Sequence, residues 1–217
     1  MSSSLWLIPT QDNPFTKELQ ELITTTIPSN FAATITPDKK HTFIPHVTLT
    51  TDITPKTHSP PPQQWLDNLS LPPFQRETNE VPLELSHLEA GDTFHRKLSI
   101  AITPHDNLSQ LAARCRREAI ANTNEEAAQS WAASDEFRPH LSLLYADVPR
   151  SEVQRRLPMI EGQLGWSLGS LFDCCGGTLC FGGEMVLVET GGEVDEWRVL
   201  ARRETPWVIW RMGRGLI

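Results

Sequence analysis

Pro45-His46-Val47-Thr48-Leu49 and Pro139-His140-Leu141-Ser142-Leu143 repeat one pattern: proline, histidine, an apolar residue, a hydroxyl residue, leucine. In a strand, side chains two residues apart share a face, so His46 should stand beside Thr48 and His140 beside Ser142. Two imidazoles and two hydroxyls converging on one volume suit the cleavage of a phosphodiester. One imidazole takes a proton from an attacking water and the other protonates the leaving oxygen. An unperturbed pKa of about 6.5 fits imidazole for either task. The hydroxyls donate hydrogen bonds to the non-bridging oxygens as negative charge builds there. No metal ion or other cofactor is expected. A bare H-x-[ST] tripeptide is a weak signal; its recurrence within a longer pattern, in equivalent positions of a repeat, gives it weight.

The elements that must position these groups also recur. The first copy opens with an apolar strand over 5–8. A helix follows, capped near Asn13 with Pro14 at its first position and with Phe15, Leu19, Leu22 and Ile23 at helical spacing. The first motif lies in a strand over 43–50. After the proline run at Pro60, Pro61 and Pro62, a short helix presents Trp65, Leu66 and Leu69, and a strand over 82–88 is expected to close the copy. The second copy begins with a strand over 97–103. Its helix is capped near Asp106 or Asn107 and carries Leu108, Leu111, Ala112, Cys115 and Ala119 along one face. A polar loop leads to the second motif strand, a short helix over 151–157 is expected to stop at Pro158, and a hairpin of 184–189 and 196–201 turns at Gly191 and Gly192. The glycine-rich stretch 165–183 reads as a loop or insertion.

This order predicts an α+β fold: one bilobal domain over 1–217, with pseudo-symmetric lobes of about 1–95 and 96–217. Each lobe is a mostly antiparallel sheet with outer helices, and the two face each other across a central cleft that brings the motifs together.

Composition narrows the partners. The chain of 217 residues carries a formal net charge of -8. Proteins that grip long nucleic acids draw affinity from counterions released by basic surfaces, so a small cyclic phosphate is expected and a long nucleic acid is not. The cluster Arg114, Arg116 and Arg117 reads as a solvated helix face. No apolar run is long enough for membrane insertion. The amino-terminal stretch lacks the basic region of a secretory signal, so a cytoplasmic protein is expected; a monomer is expected by default, since nothing in the sequence speaks to oligomeric state. Cys115, Cys174, Cys175 and Cys180 lack the paired spacing of a zinc site and read as thiols, with a disulfide from Cys115 left open. His41, His58, His87, His95 and His105 share no repeated pattern and read as ordinary polar residues.

With its doubled motif strands in a repeated frame, the chain resembles the 2H phosphoesterase superfamily. Leu5-Trp6-Leu7-Ile8-Pro9, Ile44-Pro45-His46-Val47-Thr48 and Pro139-His140-Leu141-Ser142-Leu143-Leu144-Tyr145-Ala146 are similar to the plant and fungal 2′,3′-cyclic-nucleotide 3′-phosphodiesterases. The resemblance implies hydrolysis of a 2′,3′-cyclic phosphate to the 2′-phosphate, and of ADP-ribose 1″,2″-cyclic phosphate, a by-product of tRNA splicing, to the 1″-phosphate. It implies catalytic roles for His46 and His140, with His140 activating water and His46 protonating the leaving oxygen; the motifs alone leave that order open. It implies phosphate contacts from Thr48 and Ser142, and places Trp6 and Tyr145 beside the substrate's base, where packing in the core is the plain alternative. Golgi association, as for fungal relatives, is the alternative location. The proline run and the stretch 174–183 depart from the smaller family members. An RNA-end phosphodiesterase and a non-catalytic nucleotide-binding module are the competing readings.

Overall fold

The computed structural model describes residues 2–36, 40–59, 61–175 and 178–213; Met1, Pro60 and the side chains of Cys174 and Cys175 lie outside that description. Among the described residues there are nine strands: β1 (Ser3–Ile8), β2 (Val47–Ile53), β3 (Val81–Ala90), β4 (Leu98–Ile102), β5 (His140–Leu144), β6 (Thr178–Phe181), β7 (Glu184–Glu189), β8 (Arg198–Glu204) and β9 (Val208–Met212). They form one sheet in the order β6-β9-β3-β4-β5-β2-β1-β7-β8. Every pairing is antiparallel except β3 with β9. The α+β expectation holds, and the curled sheet has two halves, β6-β9-β3-β4-β5 and β2-β1-β7-β8, that meet where β5 pairs with β2.

β1, helix α1 (Pro14–Glu21) and β2 follow in the same order as β4, helix α4 (Asp106–Ala119) and β5. Asn13 caps α1 by accepting from the Phe15 amide at 2.9 Å, with Pro14 in the first turn, as the sequence predicts. The helix continues through a π turn (Leu22–Thr26) into α2 (Ile27–Ser29), so that Leu22, Ile23 and Ile27 are all buried. The short helix expected after the proline run is α3 (Pro62–Asp67), which buries Leu66. Alternation along the strands divides the two faces. Leu5, Leu7, Val47, Leu49, Ile100 and Leu141 enter the main core beneath the helices, while Trp6 joins a smaller cluster on the other face.

Several expected elements differ. The strand expected over 43–50 begins only at Val47, since Pro45 has no amide hydrogen to give a ladder. β3, expected to close the first copy, instead pairs with β4, because a short turn makes the two a hairpin. The edge of β1 that this leaves is covered by β7. The cap of α4 is His105, whose Nδ1 accepts from the Asn107 amide at 3.1 Å.

Part of the polar loop before the second motif is helix α5 (Glu125–Ala133), capped by Asn124. Its small residues Ala128 and Ala132 pack against Ala113 of α4, a face too slight to stand out in the hydrophobic pattern. Helix α6 (Arg150–Cys175) does not stop at Pro158. Ile160, Leu164 and Leu168, four residues apart and buried, carry it onward, outweighing the lost hydrogen bond. β6 falls within the glycine-rich stretch expected to be a loop, and β9, an apolar Val208-Ile209-Trp210 run, adds a strand beyond the expected hairpin. Cys115 and Cys180 are buried free thiols, and burial pushes the Cys115 thiol up to about 12.

Candidate active site

Val47 pairs with Leu141 where β2 meets β5. In an antiparallel pair this register, extended one residue either way, sets His46 opposite Ser142 and Thr48 opposite His140. All four side chains line one cavity of about 490 Å³ on the face opposite the main core. The arrangement is crosswise, with the imidazoles on one diagonal and the hydroxyls on the other.

Both histidines are oriented by the same local device. His46 Nδ1 lies 2.6 Å from the Ile44 carbonyl oxygen, and His140 Nδ1 lies 2.8 Å from that of Arg138. A carbonyl only accepts, so Nδ1 donates in each case, and Nε2 is the nitrogen left for chemistry. In each motif the carbonyl two residues back precedes the proline, whose restricted backbone holds it in place. Repetition of the proline thus has a structural purpose that the sequence already displayed.

The surroundings of the two imidazoles differ. His46 is 4% exposed, and Trp6 stacks on it with ring centroids 3.7 Å apart and planes inclined by 13°. The Tyr145 hydroxyl reaches His46 Nε2 at 3.3 Å, and Phe43 stacks on Tyr145 at 3.9 Å. Burial holds the His46 pKa down at about 4; the Ile44 carbonyl raises it and the charge of His140 lowers it. His140 is only half-buried. Burial also sets its pKa below the ordinary value, the Arg138 carbonyl and Glu89 acting upward and Arg96 downward. Both imidazoles are therefore neutral in the free protein near pH 7. Burial pushes the Tyr145 phenol up, so it is a neutral donor.

Trp6 and Tyr145 do line the cavity, but at 3% and 4% exposed their main contacts are with His46 and its neighbours. Ser142 is buried, and its hydroxyl donates to the His95 carbonyl at 3.1 Å. Thr48 is half-buried beside Trp6, its partner across the β1–β2 ladder.

Sequence reasoning missed His95, Arg96, Trp197 and Asp52, all of which border the cavity. His95 and Arg96 lie on a 3₁₀ turn (Phe94–Arg96) between β3 and β4. That turn folds tightly over Gly91, where a Cβ would come 2.0 Å from the Arg96 carbonyl oxygen. The His95 ring meets the edge of Tyr145 at 5.2 Å and lies near-parallel to Trp197 at 5.7 Å. Arg96 donates to Glu89 at 2.9 Å. No spacing pattern marked these residues: His95, Arg96 and Trp197 lie on connections distant in sequence from the motifs, and Asp52 faces the cavity only through the slips in the β1–β2 register. Another cavity, of about 540 Å³, lies between Pro72 and helices α4 and α5 and contains no histidine. Among the described residues, no group of three or more His, Cys, Asp or Glu side chains is placed to hold a metal ion.

Comparison with known proteins adds to this geometry. Residues 1–205 match the family described as cyclic phosphodiesterase-like protein. A 2′,3′-cyclic-nucleotide 3′-phosphodiesterase of Phaeosphaeria nodorum is 36% identical over 204 residues, covering 93% of this chain and 98% of the relative. Proteins of the same name from Neurospora crassa and Yarrowia lipolytica are 29% and 28% identical, over 93% and 94% of this chain and 98% and 100% of theirs.

Proposed function

The chain belongs to the cyclic phosphodiesterase-like protein family, and from that premise we propose that it hydrolyses nucleoside 2′,3′-cyclic phosphates to 2′-phosphates. ADP-ribose 1″,2″-cyclic phosphate, opened to the 1″-phosphate, is the second substrate proposed. The observation that carries the reading is the crosswise set of His46, Thr48, His140 and Ser142 around one cavity. Imidazoles on a diagonal suit an in-line displacement, in which the attacking water and the leaving oxygen lie on opposite sides of phosphorus. The hydroxyls on the other diagonal are available to the non-bridging oxygens. Ser142 reaches them by giving up its bond to the His95 carbonyl.

In the order implied by the resemblance, His140 takes the proton from water and His46 gives one to the 3′-oxygen. The half-buried His140 is the more open of the two to solvent, which favours this order. His46 must then gain its proton as the anionic phosphate docks, because an adjacent negative charge raises a pKa that burial had lowered. The long 3.3 Å contact with Tyr145 is weak enough for a phosphate oxygen to displace.

A small cyclic phosphate, a monomeric enzyme and a cytoplasmic site of action complete the proposal, with Golgi association as the alternative. Among the described residues, no helix is long and apolar enough to cross a membrane. The test is turnover of 2′,3′-cyclic AMP with identification of the product. Release of adenosine 2′-monophosphate supports the reading; binding without turnover would leave a nucleotide-binding module.

A further inference from the structure

The cavity has a second polar end. Along the cavity face of β1 beyond Trp6 come Ser4 and Ser2, and Thr190 bonds Ser4 through their hydroxyls at 3.0 Å. Thr51 and Asp52 complete this end from β2. They reach it because the β1–β2 register slips twice: Trp6 pairs with Thr48, Leu5 with Thr50 and Ser3 with Ile53. The first slip turns Thr50 towards the core, where its hydroxyl has no partner. The second leaves Thr51 and Asp52 on the cavity side. Asp52 adopts a left-handed backbone with φ 64°, an unfavourable conformation for most residues with a Cβ.

Asp52 is the only carboxylate on the cavity wall among the described residues. Among the described residues its one side-chain hydrogen bond comes from Thr51 Oγ1 to Oδ2, at 2.8 Å, and no cation pairs with it. A lone carboxylate repels a phosphate, so this end is unsuited to the anionic part of a substrate. It lies four residues along β2 from Thr48, roughly 10–13 Å at ordinary strand rise. That is of the order of the reach from a ribose phosphate to the outer edge of its base, and the 490 Å³ cavity is within the usual range for small-molecule sites.

Resting on the hydrolysis proposed above, we propose that Asp52 reads the base and selects guanine. A carboxylate presents acceptors only, and guanine offers it two adjacent donors, N1–H and N2–H, in a bidentate pair. Adenine and cytosine each set an acceptor nitrogen beside their amino group, and uracil flanks its N–H with two carbonyls. Each of these places a lone pair against the carboxylate.

The test compares kcat/KM for 2′,3′-cyclic GMP and 2′,3′-cyclic UMP in the wild type, Asp52→Asn and Asp52→Gly. Both replacements tolerate the left-handed backbone, so folding is kept. The wild type is expected to favour the guanosine substrate, and the guanosine-to-uridine ratio to fall ~10-fold to 100-fold in both variants. A ratio that the substitutions leave unchanged overturns the proposal while hydrolysis stands. If neither substrate is turned over, calorimetric binding of guanosine 2′-monophosphate separates the cases. Asp52-dependent binding retains the base subsite and removes only the hydrolysis, whereas binding indifferent to Asp52 removes both.

Discussion

Val47 and Leu141 face each other at the one point where the two halves of the sheet join, and the pair acts as the pivot of a local twofold arrangement. Their side chains are fully buried in the core, so the residues on either side of each are turned to the opposite face. A single apolar contact thus sets two imidazoles and two hydroxyls around one space. A one-residue slip of either strand past the other would turn that strand's own imidazole and hydroxyl towards the core.

Removal of either imidazole should be severe. His46→Ala and His140→Ala are each expected to lower kcat by ~10²–10⁴. The double variant should lose much less than the product of the two, because the groups act together. A cyclic substrate with sulfur at the 3′ bridging position has a leaving group that needs little protonation. It should rescue His46→Ala and not His140→Ala; the reverse would exchange the two roles.

The hydroxyls are expected to matter less. Thr48→Val and Ser142→Ala each remove one donor to the phosphate and should cost ~10–10³-fold in kcat/KM, with Thr48→Ser much milder. Wild-type behaviour of Thr48→Val would make that residue structural only.

Burial of His46 also links pH to stability. Its folded pKa, about 4, is below the ordinary 6.5, so between these values the unfolded chain binds a proton that the folded chain refuses. The stabilisation is fully present above pH 6.5 and is lost as pH falls towards 4, amounting to roughly 3 kcal/mol from this one group. Urea midpoints at pH 7 and pH 4.5 measure it. His46→Gln, which cannot titrate, should flatten the difference; an equal acid loss in that variant would assign it to other groups.

Dialysis against EDTA is expected to leave activity intact, and kcat/KM should follow a bell in pH. One limb requires a neutral imidazole and the other a protonated one, so both limbs belong to the pair. Activity lost to the chelator and restored by zinc or manganese would redirect the reading to a metal-dependent enzyme.

Charge supplies the last expectation. With a net charge of -8, the surface outside the cavity should not follow an RNA backbone. A cyclic mononucleotide should be preferred to an oligomer ending in the same cyclic phosphate, with only a shallow salt dependence. Contact with Z phosphates of a single strand gives a slope near −0.7Z in log affinity against log salt. Comparing both substrates at two salt concentrations decides it, since an oligomer preference that collapses in salt would mark an RNA-end enzyme.

Much of this site was legible in the amino-acid order. Period-two alternation is a property of the strand itself, so the pairing of His46 with Thr48 and of His140 with Ser142 on common faces followed from spacing alone. The duplicated pattern placed both motifs in equivalent elements, and Asn13 with Pro14 marked a helix start that the fold keeps. Proline before each histidine was likewise in plain view. Tertiary structure alone decided how the copies meet. The crosswise register at Val47 and Leu141, the stacking of Trp6 on His46, and the approach of His95 and Trp197 all join residues distant in the chain. The bulges that turn Thr50 inward and bring Asp52 into the cavity break the very alternation from which the motifs were read. α6 persisted through Pro158 for a similar reason: buried contacts with distant residues outweighed a local signal. Spacing encodes what a backbone repeats with its own period, whereas pairing between strands depends on which surfaces the whole chain must bury.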